Sequence, residues 1–181
     1  MEERLIIAGF GGQGVMSMGQ LLTYSGMIEN KNVSWLPSYG PEMRGGTANC
    51  SVIVSEDLIG SPVVTEASTA IVMNKPSLDK FEKDVIEGGN LLINSSLIDN
   101  KAKRHDLKAY YIPANDIANE LGDNRIANMV MLGAYLELTK AVEIESIIEA
   151  FKKVFGESKT HLIPMNQQAL EKGAEAVRVL L

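Results

Sequence analysis

Leu5-Ile6-Ile7-Ala8-Gly9-Phe10-Gly11-Gly12-Gln13-Gly14-Val15 is the stretch that decides the fold class. A short apolar run ends in a glycine cluster, and from Val15 to Ile28 the apolar residues fall at helical spacing. Strand, tight turn and helix in that order open an α/β layered domain. From Gly9 to Gly14 the turn satisfies G-x-G-x-x-G, in the position between strand and helix where that pattern has a physical meaning. Glycines let the backbone turn sharply and approach a ligand closely. Free N–H groups and the dipole at a helix start favour an anion there by about 0.3 to 1 kcal/mol per charge. A phosphate-bearing ligand is the direct reading; a packing turn with no ligand is the alternative.

Outward from this turn, Val33 to Leu36, Ala48 to Val54, Ala70 to Met73, Leu91 to Ile93 and Tyr110 to Ile112 read as further short strands. Pro37-Ser38-Tyr39-Gly40-Pro41 reads as a loop, because its two prolines forbid a helix or a central strand. Ser77 to Ile86 reads as a surface helix stopped by Gly88-Gly89. Asp123 is placed to cap a helix from Arg125 to Lys140, and Ile144 to Phe155 reads as an amphipathic helix closed by Gly156. Ala169, Leu170, Gly173 and Val177 mark a last helix. This pattern predicts one three-layer α/β/α domain over residues 1–181, with a largely parallel, Rossmann-like sheet of about six strands.

The 181 residues are 45% apolar and 22% charged, proportions that exclude disordered and fibrous classes. A net charge of -6 argues against a nucleic-acid partner. One cysteine, Cys50, allows no intrachain disulfide, no iron–sulfur cluster and no four-cysteine zinc site built by this chain alone. The acidic start Met1-Glu2-Glu3-Arg4 lacks the basic opening of a secretory signal, and no apolar run approaches the roughly 20 residues that span a bilayer. A cytoplasmic chain with no membrane role is the expectation.

A dinucleotide site needs an acid near the end of the second strand. Glu29 precedes that strand and Glu42 lies well beyond it, so NAD is disfavoured while phosphate is not. The segment Ser38 to Thr47 holds Arg44 before Gly45-Gly46, a guanidinium fork beside a backbone that a ligand can approach. The alternative for Arg44 is a surface pair with Glu42. Cys50 sits in a β-branched run and reads as a small core residue, since no neighbouring histidine offers a base. His105 and His161 are too isolated to form a metal site. Trp35 and the nine methionines read as core or interface.

GFGGQGV at 9–15, WLPSYGPEMRGGTANCSVIVS at 35–55, MNKPSLDKF at 73–81, LLINSSL at 91–97 and RIANMVMLGAY at 125–135 together resemble the gamma subunit of 2-oxoacid:ferredoxin oxidoreductases. The resemblance implies a subunit of an enzyme that turns a 2-oxoacid, coenzyme A (CoA) and oxidised ferredoxin into acyl-CoA, CO2 and reduced ferredoxin. It implies 2-oxoglutarate as the first-choice substrate and 2-oxoisovalerate as the second. Thiamine diphosphate and iron–sulfur clusters would belong to alpha, beta and delta-type partner subunits, leaving this chain a share in CoA binding and assembly and no activity by itself. Matched residue by residue, the CoA loop falls on Gly11, Gly12, Gln13, Gly14 and Val15. Arg44 lies near a basic position, and Ser95 and Asn128 fall on two polar contacts. Without the resemblance, Ser95 reads as a turn cap and Asn128 as an asparagine in a buried helix. Two rival readings stand beside it: a free nucleotide-binding module or small dehydrogenase, and a purely structural assembly subunit with an empty glycine turn.

Overall fold

A computed structural model describes residues 1–38 and 47–181 of the chain. Six strands, β1 (Glu2–Phe10), β2 (Asn32–Ser38), β3 (Thr47–Ser55), β4 (Ala67–Val72), β5 (Val85–Asn94) and β6 (Lys108–Ile112), form one sheet in the order β2-β3-β1-β4-β5-β6. β3 is antiparallel to both β2 and β1, while β1, β4, β5 and β6 pair in parallel. Five of the six strands therefore run one way, as the buried apolar runs predict for a largely parallel sheet. The helices are α1 (Val15–Ile28), α2 (Lys75–Phe81), α3 (Ala114–Glu120), α4 (Ala127–Thr139), α5 (Ile144–Phe155) and α6 (Ile163–Arg178).

Alternation along β1 divides the core. Leu5 and Ile7 join the cluster that contains α1, α4, α5 and α6, whereas Ile6 and Ala8 pack with α2 and Ile98 on the opposite face. Three layers result. Every residue of α4 from Ala127 to Leu136 is buried, against the sheet on one side and α6 on the other. Such a helix is apolar all round, so its sequence shows little of the one-sided pattern that α5 displays.

Four sequence expectations shift. Pro37 belongs to β2 instead of a loop: opposite Cys50 of β3, it lies on a strand at the edge of the described sheet, where proline is tolerated. The expected helix over Ser77 to Ile86 stops at Phe81 and continues as a single tight turn over Glu82–Asp84. Gly88-Gly89 is no helix stop but part of β5. Gly88 has φ +74°, a Cβ on Gly89 would lie 2.9 Å from the Ser68 carbonyl, and the β4–β5 register shifts between Ala67 and Thr69. Asp123 does cap, accepting from Arg125 N–H at 2.9 Å, but the residues it starts, Asn124–Ile126, form a tight turn before α4 begins.

Candidate phosphate-binding site

The carboxyl ends of the parallel strands share one edge of the sheet, the usual place for a ligand crevice in α/β folds. At the end of β1 the chain turns through Gly11–Gly14 into α1. Gln13 holds the turn: its Oε1 accepts from Phe10 N–H at 2.6 Å and its own N–H donates to the Phe10 carbonyl at 3.2 Å. Gly12 has φ +89° and Gly14 φ +74°, left-handed values that L side chains adopt at a cost. Gly14 is the N-cap of α1 and supplies no side-chain acceptor, so the first N–H groups of the helix keep no side-chain partner.

The two left-handed glycines face different surroundings. A Cβ on Gly14 would stand 2.3 Å from Asn128 Nδ2, whose amide donates to the Gly14 carbonyl at 3.4 Å, so α4 clamps the turn from beneath. A Cβ on Gly12 would meet no described atom within 4 Å. Two clefts open on either side. One, of about 340 Å³, runs from Phe10 and Gly11 to Met16 and Ala48 at the start of β3. The other, of about 270 Å³, passes Ser17 and Asn128 and continues between α4, α5 and α6. Gly12, Gly14 and Ser17 line both. The carboxylate in the second is Asp123, which the Arg125 guanidinium engages at 2.8 Å and holds below the usual aspartate range.

The expected site residues separate into groups. Gly11, Gly12, Gly14 and Asn128 converge on the turn and its clefts. Gln13 turns its acceptor inward, and the Val15 side chain is 3% exposed in the core, so these two offer the groove little beyond backbone. Ser95 ends β5 two strands away, with its N–H donated to the Ile112 carbonyl, and it lines neither cleft. Arg44 lies outside the described residues. Ser17, Arg125, Lys159 and Asn166 are lining residues that the sequence reading did not single out. Arg125 stood within a quoted motif; Lys159 and Asn166 carry no local signal, since only helix packing brings them to α1.

Cys50 is fully buried and its Sγ faces the Val15 carbonyl at 3.6 Å. Burial pushes its thiol up to about 12, against a smaller opposing contribution from Trp35. A thiol held protonated suits neither a nucleophile nor a cluster ligand. Among the described residues no three His, Cys, Asp or Glu side chains converge as a metal site, and no helix is long and apolar enough to cross a membrane.

Known proteins resemble this chain in sequence and in fold. The chain is 42% identical over 178 residues to a ketoisovalerate oxidoreductase subunit of Methanothermobacter marburgensis, a match covering 98% of this chain and 37% of the relative. It is 35% identical over 153 residues to a 2-oxoglutarate synthase subunit of Methanocaldococcus jannaschii, covering 83% of this chain and 82% of that one. The chain thus spans little more than a third of the first relative and most of the second. Among solved structures, the gamma subunit of a keto/oxoacid ferredoxin oxidoreductase from Geobacter sulfurreducens superposes with a TM-score of 0.82 at 27% identity, over 98% of this chain and 99% of that one. The 2-oxoglutarate:ferredoxin oxidoreductase of Magnetococcus marinus, described with 2-oxoglutarate, coenzyme A and succinyl-CoA bound, shares the fold at a TM-score of 0.89 and 22% identity, over 99% of this chain and 32% of that one. The pattern of the pyruvate ferredoxin/flavodoxin oxidoreductase family matches residues 4–176, nearly the whole chain, and this chain belongs to that family.

Proposed function

We propose that this chain is the gamma-type part of a 2-oxoacid:ferredoxin oxidoreductase, folded as one domain over 1–181, and that its glycine turn cradles the phosphates of CoA. The observation that carries the reading is the open space over Gly12, beside a helix start without a side-chain cap. The backbone there can donate to an anion, and no described side chain fills the place. CoA fits this donor set, and the coenzyme A named for the Magnetococcus marinus enzyme supports the same ligand. The substrate class follows the relatives. The higher identity to the ketoisovalerate subunit, 42% against 35%, ranks 2-oxoisovalerate ahead of 2-oxoglutarate.

In this reading thiamine diphosphate and iron–sulfur clusters on alpha, beta and delta-type partners supply the decarboxylation and the electron path to ferredoxin. The residues of this chain bind and orient. The N–H groups at the start of α1 hold phosphate, and Asn128 keeps the turn in the shape that presents them. Contacts so far from a reacting thiol contribute uniform binding, which lowers KM for CoA without accelerating the chemical step. Ser95 and Arg44 complete the proposed set. The complex works in the cytoplasm, without membrane or nucleic acid.

The test is purification of the tagged chain from its own cells without oxygen, followed by ferredoxin reduction with a panel of 2-oxoacids and CoA. Thiamine-binding and ferredoxin-like subunits should co-purify, and 2-oxoisovalerate should be the best substrate. The chain alone should be colourless and inactive. A brown, active chain without partners would overturn the division of labour.

A further inference from the structure

At the amino end of the sheet, opposite the glycine turn, β3 and β4 are joined by residues 56–66, which form neither helix nor strand. Two side chains anchor this loop from within. Val64 packs on the cluster that holds Ile6 and Leu78, and Ile59 lies half-buried beside a cleft of about 320 Å³. Ile53 of β3 closes the base of that cleft, and the ion pair of Glu2 with Arg4, 2.6 Å long, forms one wall. The residues beside the anchors are left outside: Leu58 is 89% exposed, more than any other large apolar side chain among the described residues, and Val63 is 57% exposed at the mouth of the cleft. An apolar projection next to an apolar hollow, rimmed by polar groups, is the surface of a protein that meets another protein. Charge narrows the choice of partner. Glu2 is engaged by Arg4 and Glu56 by the Met1 amino group at 2.9 Å. Asp57 and Glu66, exposed at the two ends of the loop, form no ion pair with a described residue.

Resting on the reading of this chain as one subunit of an assembly, we propose that the loop between β3 and β4 and the cleft behind it are a docking surface for another subunit of the complex. That subunit presents a socket to Leu58, an apolar side chain to the cleft, and Lys or Arg at the rim to face Asp57 and Glu66. Charge complementarity selects it over a second copy of this chain. A two-fold contact through this face would bring the same two carboxylates of each copy together, with the repulsion that excludes wrong partners. The surface is also remote from the proposed CoA site. Between Glu2 and Phe10 β1 runs about 26 Å, at roughly 3.3 Å per residue, so a subunit docked at its start leaves the glycine turn at its end uncovered.

The experiment dilutes the complex purified with the tagged chain and reads, by mass photometry, the concentration at which the chain leaves it. Leu58→Ser should raise that concentration about tenfold or more, because an apolar anchor at the centre of an interface carries a large share of its binding. Leu58 is so exposed that its loss leaves the core intact. Asp57→Lys and Glu66→Lys should slow reassociation and remove its sensitivity to salt. In the complex that stays assembled, kcat and the KM for CoA should equal those of the wild type. Unchanged dissociation in Leu58→Ser overturns the proposal. So does a Leu58→Cys complex in which a thiol cross-linker joins two copies of this chain instead of this chain and another subunit. If the tagged wild-type chain recovers no other subunit, the assembly reading and the surface fall together. If it recovers them and Leu58→Ser holds them equally well, the surface alone falls.

Discussion

Two pairs of glycines in this chain exist for opposite reasons. Gly12 and Gly14 lie in the turn after β1 with left-handed φ, and a Cβ on Gly12 would meet no described atom within 4 Å. Gly133 of α4 and Gly173 of α6 sit where the two helices cross. There a Cβ would fall 2.0 Å from the Leu170 carbonyl and 1.8 Å from the Val130 carbonyl, respectively. Gly12 leaves space open among the described residues, Gly14 admits Asn128, and the second pair lets two helix backbones meet. A glycine in mid-helix costs about 1 kcal/mol against alanine, a penalty offset here because the helices approach closely enough to bury α4 completely. No described residue packs on Gly12 in that way, and for this reason Gly12, unlike Gly173, belongs to the proposed site.

Gly173→Val should have the largest effect. Two methyl groups and a Cβ cannot share space with a backbone carbonyl, so the loss is expected at about 4 kcal/mol or more, read as a lowered denaturant midpoint. A loss below about 1 kcal/mol would show that α4 and α6 can separate freely, and the contrast with the turn would collapse.

Gly12→Asp should act on ligand and spare the fold. The left-handed backbone costs about 1 to 2 kcal/mol, whereas a carboxylate about 4 Å from a phosphate opposes binding by about 4 kcal/mol at an effective dielectric of 20. CoA affinity of the complex should therefore collapse while assembly persists. Gly12→Ala, which adds strain without charge, should keep most of the affinity. Unchanged CoA affinity in Gly12→Asp would make the turn a mere packing device.

Arg44→Ala comes next, at about 1.5 to 3 kcal/mol of CoA binding if the guanidinium grips a diphosphate oxygen. Arg44→Lys should restore only part of this, since an ammonium cannot reproduce a bidentate fork. Dephospho-CoA should suffer equally. If Arg44→Ala leaves CoA kinetics intact but splits the complex, the residue belongs to assembly.

The smallest effect belongs to the surface of the same helix crossing. Glu137 on α4 accepts from Arg178 of α6 at 2.9 and 3.1 Å and pairs with Lys140 at 2.9 Å. Arg178 first, then Lys140, lowers its carboxyl from the ordinary 4.5 to about 2. Glu137→Gln should cost about 0.5 to 1 kcal/mol at neutral pH. A depressed folded value stabilises fully above the unfolded one and fades below it, so the gap in Tm between variant and wild type should close as pH falls from about 4.5 to about 2. A gap that persists at pH 2 would mean lost packing, not lost charge.

Much of the fold was legible because its signals are local. The apolar run Leu5 to Ala8, the glycine stop at Gly156 and the period of α5 each depend on residues within a turn or two of one another, and β1, α1 and α5 lie where those signals put them. Errors fell where a local sign had a tertiary cause. Gly88-Gly89 looks like a helix stop, yet it permits a register shift against β4; Pro37 looks like a loop, yet it lies on the edge strand of the described sheet. Of the candidate site, the glycine turn and Asn128 were readable from motifs, and the cleft between α4, α5 and α6 was not.

By itself the sequence determined the alternation of strands and helices, the glycine turn after the first strand and membership of a family, because period, punctuation and motif are written in neighbouring residues. Only the tertiary structure decided that β3 returns antiparallel between β2 and β1, and that Asn128 reaches the Gly14 carbonyl across 114 residues. The same packing joins Phe155, Lys159 and Asn166 to the turn. The reason is physical. Hydrophobic burial is indifferent to distance along the chain, so it brings together groups whose separation no local pattern encodes.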